Sequence, residues 1–290
     1  MNKFLFCFVF CFYGVYCSFA FNKKEQLNDK DKVFTLETKA NDRFSTDDNF
    51  YRNKFFIGVG VISNSFQDTK YSHVQYRGPG AGYIVGLSRE GSKYFWESAI
   101  TFFHGRESAK THLASSRIFR TGFYFTYMYL IYDRLKLGGK LELLDFYYRS
   151  DEDLTNNATY TYGSNNLYIS TSYDRLLNDE WSIKGIVDLG VLAFGKESAS
   201  FGYSVPQHII EEGDFAYENN YDDPFAWKYN RWSSFNKGFK LHLSTFFLYR
   251  KRFSFGYQWK LDYFVNVKSY PVTISNHNLV VRFNIINRKK

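Results

Sequence analysis

Phe253-Ser254-Phe255-Gly256-Tyr257-Gln258-Trp259-Lys260-Leu261-Asp262-Tyr263-Phe264-Val265-Asn266-Val267-Lys268 is the stretch that decides the fold. Every odd position is apolar or aromatic. Every even position except Gly256 and Phe264 is polar or charged. Successive residues of a β-strand point to opposite sides of the sheet, so this run predicts a strand with one greasy side and one wet side. Strands of soluble sandwiches usually run about 5–6 residues, and this alternation lasts far longer.

The same period-two pattern recurs along the chain. Tyr94, Trp96, Ile100 and Phe102 alternate with Glu97, Ala99 and Thr101; Phe119 to Ile131 alternate with Arg120, Gly122 and Thr126. Leu137, Leu141 and Leu143 face away from Lys136, Lys140 and Glu142, and Leu167, Ile169 and Tyr173 from Ser170, Ser172 and Asp174. Trp181, Ile183, Val187, Leu189 and Val191 oppose Ser182, Lys184 and Asp188, while Leu241, Leu243 and Phe247 oppose Lys240, His242 and Ser244. With weaker matches at 54–64, 82–89 and 278–287, ten strands are predicted.

Their connections alternate in length. Loops near 65–81, 104–117, 150–164, 195–236 and 269–277 are long. Turns at Glu90-Gly91-Ser92, Asp133-Arg134, Leu177-Asn178-Asp179 and Arg250-Lys251-Arg252 are short. All four prolines (Pro79, Pro206, Pro224, Pro271) fall in the predicted long loops, as the missing N–H of proline requires.

Composition narrows the class further. The chain has 290 residues, 44% apolar and 21% aromatic, with a mean hydropathy of −0.40. Beyond residue 20 it has no apolar run of the roughly 20 residues a membrane helix needs. Its aromatic load excludes wholesale disorder. Residues 1–20 read as a signal peptide: Lys3, an apolar stretch from Phe4 to Tyr13, and a small-x-small site at Ser18-Phe19-Ala20. Residues 21–53 read as a polar leader. The three cysteines, Cys7, Cys11 and Cys17, all lie in the signal segment, so the mature chain is expected to carry no disulfide, thiolate metal site or cysteine nucleophile. With Lys3 removed, 36 basic residues stand against 29 acidic, a net charge of +7. The basic residues form no stripe, and no nucleic-acid partner is expected.

Taken together, residues 54–287 resemble bacterial outer-membrane β-barrel proteins. The physical reason is general: in lipid no backbone polar group can stay unpaired, so a sheet can span only by closing on itself. Lipid-facing and lumen-facing residues then alternate, with short turns on one side and longer loops on the other. The resemblance implies an all-β, antiparallel up-and-down transmembrane barrel of about ten strands, 10–12 at the outside, occupying 54–290. It implies export to the bacterial outer membrane through a cleaved signal peptide, with the leader and the tail Arg288-Lys289-Lys290 on the periplasmic side. Lipid, the barrel-insertion machinery and an unknown extracellular ligand are the expected partners, and the barrel is expected to be a monomer. Family members usually end on an aromatic residue of the last strand; here seven residues follow Phe283.

Function is sparser in the sequence. The residues expected to point into the lumen, Glu97, Arg120, Lys140, Glu142, Asp174, Lys184, Asp188, Lys240, His242, Lys260, Asp262 and Arg282, have mixed sign. A narrow barrel lined this way is expected to be plugged by ion pairs rather than to act as a porin. Glu211, Glu212, Asp214, Tyr217, Tyr221, Asp222 and Asp223 gather carboxylates and aromatics in the longest loop and form the candidate ligand-binding surface. Five of the six histidines (His73, His104, His112, His208, His277) are expected in or beside the long loops, without metal-ligand spacing; no metal or other cofactor is expected. The leading expectation is a barrel that displays surface loops for binding or adhesion, and no enzyme. A narrow channel is the alternative. A surface hydrolase comes third: ten-stranded barrels include the omptin proteases, similar in length and strand count, but Asp222, Asp223 and His208 here lack the omptin Asp pair facing an Asp–His pair.

Overall fold

The computed structural model describes residues 52–68, 75–91, 93–109, 115–151, 159–200, 231–235, 238–250, 252–267 and 270–287. The signal peptide and leader assigned to 1–53 lie outside the described residues, apart from the first two residues of β1. The strands are β1 (Arg52–Asp68), β2 (Tyr76–Glu90), β3 (Tyr94–Ala109), β4 (Ser115–Tyr132), β5 (Leu135–Asp151), β6 (Thr159–Leu176), β7 (Trp181–Ser200), β8 (Arg231–Ser233), β9 (Gly238–Tyr249), β10 (Phe253–Val267) and β11 (Tyr270–Asn287). Each long strand pairs antiparallel with its neighbours in chain order. The ring closes through β1–β11, where Asn53 faces Asn287 and Asp68 faces Val272. The result is a transmembrane up-and-down barrel of ten long strands. Short β8 extends the wall beside the upper part of β7, pairing Phe194 with Trp232, where the β7–β9 ladder stops at Leu189–Leu241.

The strands outrun their predicted ends, to 12–20 residues. Pro79 and Pro271, expected in loops, lie inside β2 and β11. Pro79 pairs with Ser63 of β1, but the ladder from β2 to β3 is interrupted at Gly78-Pro79. Pro271 pairs only with Val265 of β10, beside a bulge and beyond the last β1–β11 pair. Each proline therefore sits where one side of the ladder asks for no N–H. Gly78 to Ala81, inside the expected loop 65–81, are likewise strand.

The predicted short turns hold, and their local chemistry is plain. Asp133 and Arg250 take left-handed backbone angles (φ 45° and 46°) in two of them. Asn178 closes the β6–β7 turn by accepting, through Oδ1, the N–H groups of Glu180 (3.0 Å) and Trp181 (2.8 Å).

Outside, the barrel wears an apolar belt next to the short-turn end. On β1 this is Phe55, Ile57, Val59 and Val61, with Val61 67% exposed; on β11 it is Leu279, Val281, Phe283 and Ile285. The deciding stretch behaves as expected: Phe253, Phe255, Tyr257 and Tyr263 are exposed, while Ser254, Asp262 and Phe264 are buried in the lumen. Inner glycines make room for rings on the adjacent strand. Gly256 faces Phe246 in the β9–β10 register, and a Cβ on it would stand 2.2 Å from the ring. Gly86 faces Phe56 in the same way, at 2.5 Å.

Candidate functional site

The lumen is filled in three layers. The central layer is a charge network. Arg120 on β4 donates two hydrogen bonds to Asp145 of β5 (2.8 and 2.7 Å) and one across the barrel to Asp262 of β10 (2.7 Å). His242 lies 3.5 Å from the same Asp262 carboxylate and accepts from Lys140 at 3.3 Å. Lys140 also pairs with Asp188 (3.0 Å). Glu142 receives Lys260 (3.0 Å) and the Tyr168 hydroxyl (2.7 Å). Lys240 donates to Asn166 (2.9 Å). Groups on six strands are thus tied together across the bore.

Toward the short turns the charges continue among aromatic rings. Glu97 accepts from Tyr124 (2.5 Å) and Arg282 (3.3 Å). Lys136 pairs with Asp174 (2.5 Å), Lys54 with Glu90 (2.9 Å), and the ammonium of Lys184 stands 3.4 Å from the centre of the Phe95 ring. Toward the long loops the filling changes character. Ile62, Phe66, Phe103, Ile118, Tyr147, Tyr160, Tyr162, Phe264, Val272 and Ile274 form one buried cluster, with Tyr162 and Phe264 stacked at 4.5 Å. Within it Asn64 bonds Glu107, and the Arg149 guanidinium lies over Tyr76 at 3.9 Å.

The inward side chains of these layers include Glu97, Arg120, Lys140, Glu142, Asp174, Lys184, Asp188, Lys240, His242, Lys260, Asp262 and Arg282, the twelve read from the sequence as lumen residues. The expected ion pairs fill the middle of the bore, and the loop-side filling beside them is largely aromatic. Asp145, half of the Arg120 clamp, was missed. A bulge sets Leu143 and Leu144 against one residue of β6, with Leu144 at φ 52°; it carries Leu144 outward and brings Asp145 inward. Asn165 Oδ1 accepts the Leu144 N–H that the bulge frees (3.0 Å). Period-two counting cannot foresee such a step. Asp174 and Asp133, which share a Tyr-Asp-Arg-Leu motif, take different places, one inside β6 and one in a turn.

The loop candidates Glu211, Glu212, Asp214, Tyr217, Tyr221, Asp222 and Asp223 lie outside the described residues, as do His73, His112 and His208. His104 and His277 are not in loops. They sit on the outer face of β3 and β11, where His277 Nδ1 shares a hydrogen bond with the Tyr257 hydroxyl at 2.6 Å. Among the described residues no group of acidic, histidine or cysteine side chains has the arrangement of a metal site.

No protein-family model and no curated protein matches this chain. Solved structures do. The translocator domain of autotransporter NalP from Neisseria meningitidis is similar over 88% of this chain and 95% of its own, at 9% identity and a TM-score of 0.49. The outer membrane protease OmpT from Escherichia coli covers 83% of this chain with its full length, at 8% identity and a TM-score of 0.46. Ail, the attachment invasion locus protein of Yersinia pestis, is similar over 81% of this chain and all of its own, at 9% identity and a TM-score of 0.32. Scores of this size identify no activity, and the geometry of the barrel stands by itself.

Proposed function

We propose that this protein is a bacterial outer-membrane barrel whose work is done by what it displays at the long-loop end, with the lumen closed to free diffusion. One observation carries the closure: the bond from Arg120 to Asp262 joins β4 to β10 across the bore, and the bond from Lys260 to Glu142 joins β10 to β5. Pairs at these distances tie opposite walls together and narrow the bore at their level. A closed bore removes general solute passage and leaves the loops as the surface that can meet a partner, which is where binding function usually sits on a rigid scaffold. The binding surface is the acidic, aromatic segment Glu211–Asp223.

The test has two parts. In planar bilayers the purified protein should give no steady conductance, while Arg120→Ala combined with Asp262→Ala should leak. Deleting 205–230 should preserve the folded barrel in detergent yet abolish attachment of cells bearing it to a basic or glycan-coated surface. Steady conductance of the unaltered protein would replace this reading with the narrow channel. Unchanged attachment by the deletion would remove the loop from it.

A further inference from the structure

Around the level of the charge network, reaching Ile62 and Phe103 on the loop side and Phe95 and Arg282 on the short-turn side, the lumen keeps a chamber of about 120 Å³. At roughly 10–15 Å³ of such space per water, that is room for about ten waters. Its walls are in part apolar, from Ile62, Ile84, Ile186, Phe246 and Val280. The rest of the lining mixes further apolar groups, among them Phe95, Phe103 and Met128, with polar ones, and the protein leaves part of that polar lining unpaired. Within the protein, Arg120 Nη1 and Arg282 Nε find no acceptor, and Asp188 Oδ1, Asn276 Oδ1 and Asn278 Oδ1 find no donor. Arg120, Arg282 and Asp188 are each more than nine-tenths buried. Buried polar groups are nearly always paired, and an orphaned one is destabilising.

From this pattern we infer that the chamber binds a small zwitterion with an apolar side chain, of the kind of an aliphatic α-amino acid. The two guanidinium groups offer their unused N–H to a carboxylate. The carboxylate of Asp188 and the two asparagine carbonyls offer unused lone pairs to an ammonium group. The isoleucine and valine wall receives the hydrocarbon. An anion alone would leave the acceptors unpaired, and a cation alone would leave the guanidinium donors unpaired. Nothing in this site involves the long loops, so it stands or falls separately from the display function.

The experiment uses the whole mature chain in detergent micelles, with leucine as the probe and calorimetric titration as the readout. Two analogues of the same hydrocarbon, 4-methylpentanoate without the ammonium and 3-methylbutylamine without the carboxylate, serve as comparisons. The expected result is saturable leucine binding with both analogues at least tenfold weaker. Asp188→Asn should weaken leucine about tenfold while leaving 4-methylpentanoate unchanged. Should Asp188→Asn fail to fold, Asn278→Ala, which removes a half-buried amide at the chamber wall, should weaken leucine in the same direction. Absence of saturable leucine binding, equal affinity for all three probes, or a crystal structure grown with leucine that holds only water in the chamber would each overturn the assignment.

Discussion

On β1, β3 and β11 the two ends of this barrel obey opposite rules along the same strand. Near the short turns β1 turns Phe55, Ile57, Val59 and Val61 outward, and β11 turns Leu279, Val281, Phe283 and Ile285 outward, over a lumen holding Lys54, Glu97 and Arg282. Near the long loops the outer faces become polar: Ser63, Ser65 and Gln67 on β1, His277, Ser275 and Thr273 on β11, His104 and Arg106 on β3. There the inner face carries Ile62, Phe66, Val272 and Ile274. One half is built like a membrane barrel and the other like a soluble barrel with a greasy core. The switch falls at one level on paired strands, Val61 beside Leu279 below it and Ser63 beside His277 above it. A lipid boundary explains such a level, because only the solvent outside changes there.

That inversion can be attacked at several points, the largest effects first. Removing one partner of a buried, hydrogen-bonded ion pair costs about 3–5 kcal/mol. Arg120→Ala or Asp262→Ala should therefore lower unfolding free energy in urea by about that much, against little change for a double substitution to well-packed apolar residues. A lipid-facing arginine near the midplane costs about 2–4 kcal/mol. Val59→Arg should show that loss in lipid vesicles, whereas Ser65→Arg, six residues along the same face, should stay within about 0.5 kcal/mol. Equal losses at the two sites would erase the distinction between the halves. Gly256→Ala places a methyl against Phe246, and overpacking of this kind costs about 1–3 kcal/mol, measurable in the same titration. Arg250→Ala breaks a pair with Glu180 in an exposed turn and should leave the thermal midpoint unmoved, as surface pairs contribute little.

The inversion also explains what the sequence could and could not tell. From Phe253 to Val265 the outward positions stay apolar, so strand and facing were legible at once. On β1 and β11 the geometric alternation continues past Ser63 and His277 while the hydrophobic phase reverses, so 65–68 and 270–277 read as loop although they are strand. Pro79 and Pro271 reinforced that error, because the ladder gaps that accommodate them are made by neighbouring strands. The charged lumen was legible because Lys140, Asp188, Lys260 and Asp262 each stand alone among apolar neighbours. Their partners were not: Arg120 and Asp262 are 142 positions apart, and Asp145 faces inward only because of the bulge at Leu143–Leu144. Tyr160 and Tyr162 fall in the expected loop 150–164 and Tyr147 lies past the bulge, so the sequence pattern hides all three in the loop-side plug.

The most direct test of the two-half barrel is a scan of depth with single cysteines on the outer face of β1. All three native cysteines lie within residues 1–20, so a chain starting after Ala20 supplies a cysteine-free background. An environment-sensitive dye placed in turn at Ile57, Val59, Val61, Ser63, Ser65 and Gln67 is challenged with lipids spin-labelled along the acyl chain. Strong quenching at 57, 59 and 61 that falls away from 63 onward is the predicted result. Uniform quenching along all six positions, or none at 57 to 61, would contradict it.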